Sequence, residues 1–79
     1  MEYMITTRRQ ESIYAVNELV GSSPTSFEDA VKNAVNTASE SLTDLRIAEV
    51  IELDVRLDDK GKMAEYRAKV KLSMKYEED

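Results

Sequence analysis

Ala64-Glu65-Tyr66-Arg67-Ala68-Lys69-Val70-Lys71-Leu72-Ser73-Met74-Lys75-Tyr76 alternates without a break between an uncharged, mostly apolar set at the even positions and a polar, mostly basic set at the odd ones. Successive side chains of an extended chain point to opposite faces, so this pattern predicts a strand with one covered face and one charged face. Immediately before it, Asp58-Asp59-Lys60-Gly61 supplies polar turn residues and a Gly able to take positive φ, which makes a hairpin the natural connection. The other arm of that hairpin is residues 45–57. There Ile47, Ile51, Leu53, Val55 and Leu57 alternate with Arg46, Glu52, Asp54 and Arg56, while Ala48 and Val50 break the period. A β-bulge or burial on both faces would explain the break, and both readings stay open.

Further upstream the period changes. Phe27, Ala30, Val31, Ala34, Val35, Ala38 and Leu42 recur at steps of three and four, which places them on one face of an α-helix. Ser26 is suited to accept a hydrogen bond from a first-turn amide, and Glu28 and Asp29 put negative charge at the positive end of the helix dipole. Before the helix, residues 12–20 are rich in β-branched and aromatic side chains and read as a strand, ended by Gly21-Ser22-Ser23-Pro24. The fold class is therefore α+β, in the order β-α-β-β. Its three-stranded antiparallel sheet packs on the Ala-rich stripe of one helix, all three strands being expected against that stripe. The domain runs over residues 11–77, after an N-terminal arm at 1–10 and before an acidic tail at 78–79.

At 79 residues the chain forms one domain, short enough to need support beyond its own core. It has no Cys for disulfides, so oligomerisation is the expected support, and the sheet's two open edges are the expected place for it. The absence of Cys and His also removes thiolate and imidazole metal sites and the usual base and thiol nucleophile. With only two Gly there is no phosphate-binding loop, and the protein reads as a non-enzyme. Sixteen acidic against eleven basic residues give a formal charge of -5, which argues against nucleic acid as a partner. No apolar run approaches the roughly 20 residues that a bilayer requires and nothing resembles a signal peptide, so no membrane association and a cytoplasmic location are expected.

The paired carboxylates Glu28-Asp29 and Asp58-Asp59 suit a helix start and a turn, and Glu77-Glu78-Asp79 a solvated tail. Glu49, Glu52 and Asp54 are the metal-ligand candidates, because carboxylates along a strand can gather around a symmetry axis when several subunits meet, and oxygen clusters suit a hard cation such as calcium. The plainer alternative makes them ion-pair partners of Arg46, Arg56 or the lysine row of the last strand.

Residues 17–76 resemble the dodecin family, small β-α-β-β proteins that assemble into hollow twelve-subunit spheres. The resemblance is carried by Glu18-Leu19-Val20-Gly21-Ser22-Ser23-Pro24-Thr25-Ser26-Phe27-Glu28-Asp29-Ala30. It continues through Leu45-Arg46-Ile47-Ala48-Glu49-Val50-Ile51-Glu52 and Ala64-Glu65-Tyr66-Arg67. It implies a homo-dodecamer that holds small ligands without catalysis. In the flavin-binding members paired flavin rings stack between tryptophans, and a glutamine on the neighbouring strand hydrogen-bonds the ring edge. The resemblance assigns these two ligand-binding positions to Ile47 and Arg67. Isoleucine has no π-face and a guanidinium cannot accept a hydrogen bond, so binding of FMN or riboflavin is expected to be weakened. An aliphatic residue followed by Ala, together with Tyr-Arg in the last strand, is similar to the calcium dodecins, and calcium or a small anionic metabolite is the favoured content. Two other readings stand beside it: a purely structural homo-oligomer whose ligand site has decayed, and a flavin binder that uses Ile47 as an apolar platform. For Arg67 itself, an ion pair with a strand carboxylate such as Glu49 is the expected role.

Overall fold

A computed structural model describes residues 13–76, arranged as β1 (Ile13–Ser23), α1 (Phe27–Ser39), β2 (Leu45–Leu57) and β3 (Met63–Tyr76). The expected arm at 1–10 and tail at 78–79 lie outside the described residues. All pairing is antiparallel and the strand order is β1-β3-β2, so the strand with the cleanest alternation is the central one. Among the described residues β1 and β2 are the two edges.

The helix starts as its residues dictate: the Ser26 hydroxyl accepts from the Asp29 amide at 3.0 Å, and Glu28 and Asp29 occupy the first turn. It ends at Ser39, earlier than the apolar period suggested. Leu42 lies beyond it, held by its amide on the Ala38 carbonyl at 2.8 Å, and still packs on the core. Ala30, Ala34 and Ala38 are buried against Ala68, Val70 and Leu72 of β3, and Leu19, Val31, Val35, Leu42 and Leu45 close around them. Among the described residues, Val70 and Leu72 are the large side chains in full burial. At the helix start Phe27 meets Tyr66 edge to face, with ring centroids 4.9 Å apart.

Two features depart from the sequence reading. First, β1 runs three residues further than expected. Gly21, Ser22 and Ser23 pair with Ala68, Arg67 and Tyr66 instead of forming the turn. Gly21 is there for proximity: a Cβ at that position would overlap the Ala30 carbonyl oxygen and come within 2.8 Å of the Ala34 Cβ. The bare backbone lets β1 lie directly under α1, and the Asn33 side-chain amide donates to the Ser22 carbonyl at 2.9 Å from above. Second, α1 packs on β1 and β3 and scarcely touches β2. Thirteen helical residues extend about 20 Å, against about 46 Å for the fourteen residues of β3. The helix is therefore too short and too narrow to cover the sheet, and every residue of β2 after Leu45 is exposed.

The hairpin forms where expected. Gly61 takes φ 75°, the Asp58 amide bonds the Lys62 carbonyl at 2.8 Å, and the Asp58 carboxylate accepts from the Lys60 and Lys62 amides at 2.9 Å each. The break at Ala48 and Val50 is a bulge: the register shifts between Val50 and Glu52, leaving Ile51 as the extra residue. This moves Ile47 out of the set containing Leu53 and Val55. Pairing with Ser73 places it on the charged face, while Ala48 and Val50 pair with Leu72 and Val70 on the helix side.

Gly21→Ala is expected to lower stability by about 1 to 3 kcal/mol in chemical denaturation, because the new methyl must displace helix backbone. Ser22→Ala, one residue on and facing away from α1, is expected to stay within about 0.5 kcal/mol of the parent. Equal midpoints for the two variants would contradict the close approach of β1 to α1.

Candidate functional site

The register brings all five candidate residues to one surface, the sheet face turned away from α1. Along β2, Ile47, Glu49, Glu52 and Asp54 stand opposite Ser73, Lys71, Lys69 and Arg67 of β3. An acidic row therefore lies directly against a basic row. Two breaks in register set this match, since the shift between Arg56 and Leu57 fixes the pairing of Asp54 with Arg67 and the shift at Ile51 fixes that of Glu49 with Lys71. Beyond the basic row, β1 adds Tyr14, Val16 and Val20, opposite Lys75, Ser73 and Lys69.

The strongest contact on this face is the pair Arg67–Asp54. Arg67 Nε donates to one carboxylate oxygen at 2.7 Å and its Nη2 to the other at 3.0 Å, the two-pronged geometry that suits a guanidinium and a carboxylate. That hydrogen bond holds the Asp54 carboxyl below its ordinary range, with the Arg67 and Lys69 charges acting in the same direction, and raises Arg67 in turn. Toward the hairpin, Arg56 Nε donates to Glu65 at 2.9 Å and lowers the Glu65 carboxyl likewise. Lys69 lies 3.7 Å from Glu52. Arg67 is thus in the ion pair expected of it, with Asp54 as partner rather than Glu49. Glu49 faces Lys71 and forms no ion pair among the described residues.

Ile47 is 53% exposed and sits near the start of β2. Asp44, at φ 58°, sets that start: its carbonyl accepts from the Lys75 amide at 3.0 Å, in the left-handed conformation that Asp tolerates better than most residues. Ile47 pairs with Ser73, six positions from Arg67 along β3, so the two lie about 20 Å apart. That distance exceeds the breadth of a planar three-ring ligand. Within one subunit they cannot flank a common ring, and only residues of different subunits could do so.

The same limit applies to a metal. Calcium takes six to eight oxygens at about 2.3 to 2.6 Å. Glu49, Glu52 and Asp54 are instead strung along the strand, each opposite a cation, and no group of three or more Asp, Glu, His or Cys among the described residues is gathered to hold a metal ion. The described residues of one subunit therefore do not provide a calcium cage. They do provide a large surface for association: Val50, Ile51, Leu53, Val55 and Leu57 of β2 are all exposed, although β2 is as apolar as a core strand. Among the described residues no helix is long and apolar enough to cross a membrane.

Comparison with known proteins agrees with this architecture. The family model described as Dodecin matches residues 13–77. The curated protein named calcium dodecin, from Mycobacterium tuberculosis, is 45% identical over 64 residues, covering 81% of this chain and 89% of that protein. Among solved structures, a calcium-chelating antigen from the same organism, named calcium dodecin and described as having a novel calcium-binding site, is 44% identical with a TM-score of 0.73. The alignment covers 84% of this chain and 93% of that one. The dodecin of Streptomyces coelicolor is 35% identical with a TM-score of 0.79, over 90% of this chain and all of the other.

The Arg67–Asp54 contact predicts a titration. Because the folded pKa of Asp54 is depressed, the stabilisation from this pair is fully present above the ordinary Asp value of about 4 and is lost as pH falls through the lowered value. Carbon-detected NMR of the Asp54 carboxyl should place its midpoint below that of an unstructured Asp, and Arg67→Gln should move it up. An Asp54 midpoint unaffected by Arg67→Gln would rule out the pair as the cause.

Proposed function

The chain belongs to the dodecin family, and from that membership we propose that it is a non-catalytic homo-oligomeric shell subunit. In this reading it binds calcium between subunits, in the cytoplasm, with the flavin-type site altered. The observation that carries the proposal is the make-up of the sheet face opposite α1. At the position that the family resemblance assigns to the flavin-stacking tryptophan stands exposed Ile47, and at the glutamine position stands Arg67, two of whose donors are engaged by Asp54. Neither offers what a flavin ring needs: an aliphatic side chain forfeits on the order of 1 kcal/mol of stacking per contact, and the guanidinium has no acceptor.

Support for calcium comes from the acidic row and from the kinship with proteins named calcium dodecin. Glu49 is the first candidate ligand because Glu52 and Asp54 already face Lys69 and Arg67, whereas Glu49 has no ion pair among the described residues. One Glu per subunit is too little for calcium. Copies related by a symmetry axis would multiply it, and backbone carbonyls or water would complete the shell. Association itself is favoured by β2, whose apolar side chains have no cover among the described residues, and by the small core. The number twelve rests on the family resemblance. Twelve subunits at -5 each would carry about -60, a field that concentrates cations around any specific site.

Native mass spectrometry before and after calcium addition tests both halves of the proposal. The expected result is a twelve-subunit species that takes up calcium saturably, with a stoichiometry that divides the subunit number, and loses that uptake in Glu49→Gln. A closed shell with no saturable calcium would leave the structural-assembly reading. A monomer or dimer would overturn the shell altogether. The flavin positions have a separate test: Ile47→Trp combined with Arg67→Gln should increase quenching of riboflavin fluorescence over the parent. Unchanged quenching would mean that the site has diverged beyond these two residues.

A further inference from the structure

The two edges of the sheet are not equally fit to pair with another strand. β1 pairs with β3 over eleven consecutive residues, Ile13–Ser23, without a shift, whereas the β2 ladder shifts three times. Bulges, prolines and charged side chains are the usual protections of an edge strand against added strands. β2 carries the three shifts and five charged residues; β1 has a regular backbone, no Pro and Glu18 as its single charge. Among the described residues no strand pairs with the outer edge of β1, and along it, under the flank of α1, run two open cavities of about 260 and 320 Å³. Leu19 and Thr37 line both, so the middle of this groove lies between them.

Resting on the reading of the chain as a homo-oligomeric shell subunit, we propose that β1 pairs antiparallel with β1 of a second copy about a two-fold axis at Leu19. Two three-stranded sheets then join into one of six strands. An axis normal to the sheet keeps both helices on one side and pairs odd positions with odd ones. An axis at Glu18 would set that carboxylate against its own copy, and like charges directly opposite one another are destabilising. One at Asn17 would lie off the middle of the groove. At Leu19 the two grooves coincide, Glu18 stands opposite Val20 of the other chain, and residues 15–23 all find partners. Because α1 packs on β1 and β3, the two helices come side by side at roughly two strand spacings, about 10 Å, a normal distance for packed helices. Asn33 and Thr37, short and polar, rim the groove on that flank. Nine paired residues make a joint about 30 Å long and, through sheet and helix, about 20 Å deep. That is about 1,200 Å² over both copies, the lower bound for a specific interface.

Glu18→Cys combined with Val20→Cys in the full chain tests the register, since the chain has no Cys of its own. Along one strand the two positions are about 7 Å apart, at the far limit for a bridge, whereas directly opposed residues at about 4.5 to 5.5 Å lie well within it. Mild oxidation of the assembled protein should yield disulfide-linked dimers whose non-reduced peptide map joins position 18 of one chain to position 20 of the other. Native mass spectrometry of the parent separates this contact from the shell itself. An oligomer whose variant forms no such link, links within single chains, or links three or more chains in a row overturns the β1 pairing and leaves the shell; a monomeric parent overturns both. Val20→Glu gives a second measurement. Within the subunit the new carboxylate faces Lys69, so the fold is kept, but across the axis it meets Glu18 twice, and the concentration for half-assembly should rise at least about tenfold. Unchanged assembly overturns the pairing.

Discussion

The helix cannot cover the sheet that it packs on, and the rest of the molecule follows from that mismatch. Its three buried alanines bring the backbone so close to β1 and β3 that Gly21 is needed beneath it. Close packing makes the covered region tight but thin. Among the described residues, Val70 and Leu72 are the only large side chains in full burial, and removing so little apolar surface from water leaves a small margin against the chain's conformational entropy. β2 carries the remaining apolar surface without cover. Val50, Leu53 and Val55 lie on a side of β2 that α1 scarcely reaches and that stays exposed among the described residues, which suits contact with other copies.

A second consequence concerns the face opposite the helix. Because α1 lies on one side only, the other side of the sheet is free to carry charge, and it does so in matched rows. Glu52 and Asp54 stand against Lys69 and Arg67, so much of the charge is neutralised within the subunit. Exposed pairs of this kind add little to stability. Their larger effect is on availability: a carboxylate that accepts two hydrogen bonds from a guanidinium must give them up before it can ligate a cation, which costs affinity. The imbalance at Glu49, and the net charge it contributes to, is therefore more informative about ligands than the count of acidic residues.

Much of the fold was legible in the residues. The strict alternation of 64–76 marked the central strand, the alanine spacing marked the helix, Ser26 marked its start, and Gly61 marked the hairpin. The failures have physical causes. Gly21 reads equally well as a turn residue or as a point of close approach, and only the helix lying above it decides. The reach of α1 over three strands depends on strand order, which local pattern does not encode. On β2, three register shifts, between Leu45 and Ile47, Val50 and Glu52, and Arg56 and Leu57, decide which residues share a face. A one-residue shift is invisible to a period count, so Ile47 was grouped with Leu53 and Val55, and Glu49 rather than Asp54 was paired with Arg67. The blur at Ala48 and Val50 is the trace that this shift leaves in the sequence, and of the two explanations open to it the register selects the bulge.

The candidate ligand residues were less legible than the fold for a related reason. Ile47, Glu49 and Arg67 lie on a face whose side chains are not part of the subunit's core, so the pattern that specifies the fold places almost no demand on their identity. A tryptophan or an isoleucine at residue 47 leaves α1, its alanine stripe and Gly21 undisturbed. Ligand choice can then change by substitution on this face while the subunit keeps its architecture, and the energetic consequence is felt only where subunits meet and bring several copies of the face together. A single chain therefore holds the candidate positions Ile47 and Arg67 about 20 Å apart, and any site that used both would have to draw them from different subunits.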